Sequence, residues 1–127
     1  MHHYEQNAVN STDFDLVTES FLDIDVGGIS TPEFTDIDGD GLIDLIIGET
    51  DGNLNQYEQD EEGSYNFTLI TESFNDIHIG KISTPCFGDI DDDGLLELFV
   101  GENVGPIHYF KQNSPGSAHF DSITAAF

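Results

Sequence analysis

An internal repeat of 53 residues is the sequence feature that most constrains how this chain can fold. The segment FDLVTESF, which starts at Phe14, returns as FTLITESF at Phe67 and begins again as FDSIT at Phe120, each time 53 residues further along. The tetrapeptide ISTP recurs in the same register at 29–32 and 82–85, and no gap is needed anywhere. Self-similarity at a fixed period is typical of proteins that stack one structural unit, so the repeat defines the unit of the fold.

Each copy of the repeat predicts four short strands and no helix. In the first copy the strands are expected at 34–37, 42–48, 53–59 and 67–71, and Asp51-Gly52 marks a hairpin between the second and third. The run at 42–48 is apolar apart from Asp44, as expected of a strand buried on both faces. Four antiparallel strands in about fifty residues is the size of a β-propeller blade, whereas a sandwich of unrelated hairpins would not need a strict repeat. We therefore predict an all-β fold of propeller blades.

The repeat divides the chain into two complete blades and one partial blade. The complete blades are predicted at 32–74 and 85–127, and residues 1–21 match only the third and fourth strands of a blade; together they form one propeller-type module. A propeller closes with about four to eight blades. We therefore expect the chain either to assemble with copies of itself, as a ring or a filament, or to be part of a longer propeller.

The charge of the chain excludes two classes of partner. The chain carries 26 acidic residues against 2 basic ones, for a formal net charge of −24. A surface that follows nucleic-acid phosphates or docks on anionic lipid requires the opposite charge. No apolar run is long enough for membrane insertion. Cys86 is the only cysteine, so neither an internal disulfide nor a thiolate metal cluster is expected. This much negative charge strains a compact fold unless cations neutralise part of it.

Much of that charge is concentrated in two acidic loops, TDIDGDGLID at 35–44 and GDIDDDGLLE at 88–97. Their alternating carboxylates can point inward together, and Gly41 and Gly94 permit backbone conformations that bring a following carbonyl toward the same point. Oxygen donors in this number suit calcium, while magnesium needs stricter octahedral geometry and transition metals would call for His or Cys. A solvated acidic turn is the alternative interpretation. The predicted metal ligands are Asp36, Asp38, Asp40, the Leu42 carbonyl and Asp44 in the first loop, and Asp89, Asp91, Asp93, the Leu95 carbonyl and Glu97 in the second.

Three consecutive motifs give these loops a family resemblance. FTDIDGDGL, LIDLIIGE and DGNLNQY, spread over residues 34–57, resemble the FG-GAP or VCBS-type repeat of integrin α-subunit heads and of secreted bacterial and fungal propellers. The resemblance covers nearly the whole chain. It implies an extracellular β-propeller with one calcium ion in the loop between the first and second strands of each blade, or about two ions per chain. Glu97 stands where the family has aspartate, and the turn at 104–106 lacks the aspartate present at Asp51.

The leading functional hypothesis is a secreted, non-enzymatic, calcium-binding propeller module that serves binding or adhesion, with calcium in a structural role. Its ligand would be a carbohydrate or a protein. Two alternatives stay open: a self-assembling structural subunit whose ring or filament is itself the function, and an accessory domain of a larger secreted enzyme. The chain contains no nucleophile elbow or comparable catalytic frame, and nothing in it names a ligand.

Overall fold

The computed structural model describes residues 1–123, and they form three antiparallel β-sheets of two, four and four strands. The predicted all-β fold of blade-like repeats is confirmed, while closure into a ring stays a prediction. The last four residues of the segment 85–127 lie outside the described residues. They include Thr124, the last residue of the third repeat copy named above.

Within each sheet, strands that neighbour one another are consecutive in the chain. The two-stranded sheet contains β1 (His3–Gln6) and β2 (Phe14–Thr18). The first four-stranded sheet contains β3 (Thr31–Thr35), β4 (Asp44–Gly48), β5 (Leu54–Gln59) and β6 (Phe67–Thr71). The second four-stranded sheet contains β7 (Thr84–Gly88), β8 (Glu97–Gly101), β9 (His108–Gln112) and β10 (Phe120–Ile123).

The first strand of a blade lies earlier in the chain than its sequence predicts. β3 ends at Thr35, so Asp36 and Ile37 belong to the acidic loop rather than to the expected strand at 34–37. The Asp36 carboxylate accepts hydrogen bonds from the backbone N–H groups of Gly39 and Gly41. Such side-chain bonds offer the backbone an alternative to a strand ladder, and they favour the loop here.

Two short 3-10 turns follow the outer strands, at Phe21–Asp23 and Phe74–Asp76. Each contains two residues other than glycine with a positive φ, Leu22 at 54° and Asp23 at 53° in the first, and Asn75 at 52° and Asp76 at 53° in the second. Within residues 1–123, no helical segment has the length and hydropathy needed to cross a membrane.

The strand β4 is buried on both faces because apolar residues from outside its own sheet pack against each of them. Ile46 belongs to a core cluster that includes Phe74 and Leu98 and joins the two four-stranded sheets. Leu45 and Ile47 belong to a second cluster on the opposite face, with Phe21 from the segment after β2. Full burial of such side chains is worth about 1.5–3 kcal/mol each, which explains the apolar run at 42–48.

A buried serine connects the two four-stranded sheets at their closest approach. Ser83 is fully buried, its hydroxyl donates to the Asn53 carbonyl at 2.7 Å, and its own carbonyl accepts from the Thr31 hydroxyl at 2.7 Å. Gly48 lies so close that an added Cβ would overlap the Ser83 carbonyl oxygen. Glycine is therefore required at this position by the approach of the next blade.

We expect Gly48→Ala to lower the free energy of unfolding by about 1–3 kcal/mol, because the Ser83 backbone must move to admit the methyl group. Gly101→Ala is the matched control, since Gly101 occupies the same repeat position and its added Cβ meets only the Thr84 hydroxyl. Urea unfolding of both variants in one calcium-containing buffer measures the difference. Equal stability of the two variants would contradict the close approach described for Gly48.

Candidate metal centre

The first acidic loop is held in shape by its own aspartates. The Asp36 carboxylate accepts the N–H of Gly39 at 2.8 Å and of Gly41 at 3.0 Å, and Asp40 accepts the N–H of Leu42 at 2.8 Å. Gly39 and Gly41 have φ values of 74° and 90°, which glycine adopts without steric cost. The loop is therefore folded tightly around the carboxylates between β3 and β4.

Three carboxylates of this loop converge. One oxygen each of Asp36, Asp38 and Asp40 lies within 4.8 Å of the others. Burial raises the pKa of the Asp38 carboxyl, and the neighbouring charges of Asp40 and Asp36 raise it further. Among residues 1–123, no basic side chain forms an ion pair with these three aspartates. The first loop thus presents hard oxygen donors and an uncompensated negative charge, a combination that fits calcium.

Asp44, the first residue of β4, is buried beside this cluster and braces the loop. Its Oδ2 accepts the N–H of Ile37 at 2.9 Å, and its Oδ1 accepts the Nε2 of Gln56 at 2.9 Å. The three clustered oxygens do not include one from Asp44. Burial raises the pKa of Asp44, although both hydrogen bonds oppose that shift. Each carboxylate oxygen keeps a second lone pair, so Asp44 stays a predicted ligand, as does the Leu42 carbonyl.

The second acidic loop brings four carboxylates together. One oxygen each of Asp89, Asp91, Asp93 and Glu97 lies within 4.8 Å of the others. The Asp89 carboxylate accepts the N–H of Gly94 at 2.9 Å, as Asp36 does from Gly41 in the first loop. The second loop therefore repeats the architecture of the first, and the Leu95 carbonyl stays a predicted ligand.

Glu97, at the start of β8, is fully buried under this loop. Its Oε2 accepts the N–H of Ile90 at 2.7 Å, in the same way that Asp44 accepts from Ile37. Its Oε1 accepts no hydrogen bond of good geometry, but the Nζ of Lys111 lies 2.8 Å away. The longer glutamate side chain thus brings one oxygen within 4.8 Å of the clustered aspartate oxygens, which Asp44 does not do in the first loop.

Lys111 of β9 places its ammonium group among these carboxylates. Its Nζ lies 2.8 Å from Asp91 Oδ2 and 2.7 Å from Asp93 Oδ2, in addition to its contact with Glu97. Hydrogen bonds to the carboxylates, that of Asp91 first, raise the pKa of Lys111 well above its usual range. The same lysine lowers the pKa of Asp93. The donor set of the second loop fits calcium only when this ammonium group moves away.

In the first blade, the position equivalent to Lys111 holds an acid, Glu58. Glu58 pairs across the strands with Asp44, in the same register in which Lys111 pairs with Glu97. Burial raises the pKa of Glu58, and the charges of Asp44, Asp40 and Asp38 raise it further. The two loops therefore share a backbone design but differ in the sign of the neighbouring charge.

One buried glutamine fixes the end of each acidic loop. Gln59 accepts the N–H of Ile43 and donates to the Ser64 carbonyl, and Gln112 accepts the N–H of Leu96 and donates to the Ser117 carbonyl. Gln112 also donates to the Ile37 carbonyl at 2.8 Å, which links the second blade to the first acidic loop.

Sequence reasoning missed these glutamines, together with Glu58 and Lys111. The repeat contained a signal for each of them. Gln59 and Gln112 are identical 53 residues apart, while Glu58 and Lys111 have opposite charges at an otherwise equivalent position.

A comparison with protein-family models finds one match, to the FG-GAP-like repeat, over residues 36–100. The matched span begins at the first clustered aspartate and ends in β8, so it includes both acidic loops and more than half of the chain. No curated protein and no solved structure gives a significant match.

We expect Asp44→Ala to expose the Ile37 amide hydrogen to exchange, because the buried N–H loses its acceptor. The cost of an unsatisfied buried donor is about 1–3 kcal/mol, so local protection should fall by about tenfold or more. Asp38→Asn is the control, since its side-chain oxygen can still accept from Asp40 N–H and Ile37 does not depend on it. Hydrogen exchange followed by NMR measures both. Unchanged protection of Ile37 in Asp44→Ala would contradict the bracing role of Asp44.

Proposed function

The chain belongs to the family of FG-GAP-like repeats, and on that premise we propose that it is a calcium-binding β-propeller-type module in which the bound ion is structural. The proposed role is non-enzymatic: the module presents a surface for binding or adhesion to a protein or carbohydrate. The arrangement of the first acidic loop supports the calcium part of this proposal most directly.

The observation that carries the proposal is the convergence of Asp36, Asp38 and Asp40 without an internal cation. Like charges at this spacing repel one another, and bulk water screens them only in part. A calcium ion would supply two positive charges and accept six to eight oxygen ligands at about 2.3–2.6 Å. The three aspartates would hold it, with the Leu42 carbonyl and Asp44 completing the protein ligands.

In this proposal the ion stabilises the connection between β3 and β4. Asp44 lies at the start of β4, and β4 contributes to a core cluster on each of its faces. Fixing the loop therefore fixes the position of the strand around which the blade is packed. Binding energy that is available only in the folded chain adds to the stability of the fold.

An extracellular location is part of the same proposal. Calcium sites in extracellular modules have dissociation constants of about 10⁻⁴–10⁻³ M, so they fill in calcium-rich surroundings. The high negative charge of the chain, −24, suits a protein whose loops are neutralised by such an ion.

Assembly with further blades also belongs to the proposal. The sheet formed by β1 and β2 has two strands, whereas the other two sheets have four. An unpaired sheet edge readily accepts another strand, and a ring needs more blades than this chain contains. The additional strands would come from other copies of the chain or from a longer chain.

We expect calcium to raise the melting temperature by roughly 10 °C at a hundredfold excess over the dissociation constant, because binding at that excess adds about 2.7 kcal/mol. Asp38→Asn should reduce this shift, since it removes a clustered charge while its amide oxygen can still accept from the Asp40 N–H. Glu62→Gln, an exposed acid outside both loops, is the charge-matched control and should keep the full shift. Differential scanning calorimetry in calcium and in chelator measures all three proteins. A melting temperature that does not respond to calcium would refute the structural role.

Native mass spectrometry in calcium, repeated after chelation, tests assembly. We expect an oligomer in calcium that dissociates when the ion is removed, because the blade edges lose their fixed geometry. A monomer in both conditions would contradict self-assembly by this chain.

A further inference from the structure

We propose that Lys111 is a built-in cation of the second acidic loop, which holds that loop together without metal and competes with calcium for the same carboxylates. The inference rests on the proposed calcium function and refines it, because it makes one loop more dependent on the ion than the other.

The geometry of the ammonium group is the first support. The Lys111 Nζ lies 2.7–2.8 Å from carboxylate oxygens of Asp91, Asp93 and Glu97. These are distances of charge-assisted hydrogen bonds. Calcium would approach the same oxygens to about 2.3–2.6 Å, so the nitrogen occupies the space that the ion requires. The two cations therefore exclude one another.

The buried state of Glu97 is the second and independent support. Its side chain is fully buried, and its Oε1 accepts no hydrogen bond of good geometry from any described residue. An ionised carboxylate oxygen in such a place is costly unless a positive charge faces it. Lys111, whose side chain is 19% exposed, provides that charge. This contact differs from an ordinary surface ion pair, which contributes little to stability.

The repeat itself supplies the third support, because it contains the same site without the lysine. At the matching cross-strand position the first loop has Glu58, which faces Asp44 instead of neutralising it. Asp44 makes its second hydrogen bond to the amide of Gln56, so its buried charge relies on a neutral donor. Calcium would thus enter the first loop without displacing a cation, whereas in the second loop it must first displace an ammonium group.

Calcium titration of two variants that differ only at position 111 tests the inference. Asp38→Asn weakens the first loop, and isothermal titration with calcium chloride then compares this protein with Asp38→Asn/Lys111→Met. We expect the double variant to bind one ion about tenfold more tightly or better, because the competing charge is gone. Lys111→Gln, which keeps a hydrogen-bond donor but not the charge, is tested alongside in case methionine impairs folding.

The stability of the metal-free protein provides a second readout. In chelator, Lys111→Met should melt at a lower temperature than the wild type, since the three carboxylates that Lys111 contacts lose their counter-charge. In calcium the difference should shrink, because the ion replaces the lysine. Lys81→Met is the control, because Lys81 is the other lysine of the chain and lies outside both acidic loops. It should behave like the wild type in both buffers.

The possible results separate this inference from the calcium proposal. Equal calcium affinity with and without Lys111, or unchanged stability of Lys111→Met in chelator, would overturn the role of the lysine while leaving calcium binding intact. If none of the proteins binds calcium, the proposed function fails, and the chelator experiment still decides whether Lys111 acts as the internal cation.

Discussion

Electrostatic repulsion among the aspartates between the first and second strands of each blade is the constraint on which the remaining structure depends. These residues cannot be moved apart, because the carboxylates of Asp36 and Asp89 also accept the N–H groups that fold the loops. The loops lead directly into β4 and β8, whose apolar residues form much of the core. The repulsion and the packing of the core therefore concern adjoining segments, because each acidic loop ends where a core strand begins.

The repeat made the fold and the acidic clusters predictable from sequence. Its 53-residue register identified the strands, and the alternating aspartates identified groups of side chains that do lie together, Asp36 with Asp38 and Asp40 in the first loop. Strand ends were less predictable, because local hydrogen bonds of Asp36 compete with strand pairing over a few residues. The 3-10 turns were missed because Leu22 and Asn75 adopt positive φ without the glycine that usually signals it.

The neighbours of the acidic loops were harder to predict, since they come from another strand. Lys111 is distant in sequence from Asp91 and reaches it only because β8 and β9 pair in a particular register. Comparing the copies could still have found it, as a base facing the second loop where the first has Glu58. The common structure places corresponding residues of the two copies at equivalent points in space. Identities between the copies are therefore informative about the fold, and differences between them are informative about function.

The opposite charges at positions 58 and 111 also bear on how such a chain diverges after duplication. Glutamate and lysine codons differ by a single base change, so one mutation in one copy is enough to exchange an acid for a base beside an acidic loop. The two acidic loops share their backbone hydrogen bonds, so the opposite charges stand on a common framework. The two copies thus place opposite charges beside acidic loops of the same backbone design: Lys111 contacts the carboxylates of one loop, and Glu58 adds to the negative charge beside the other.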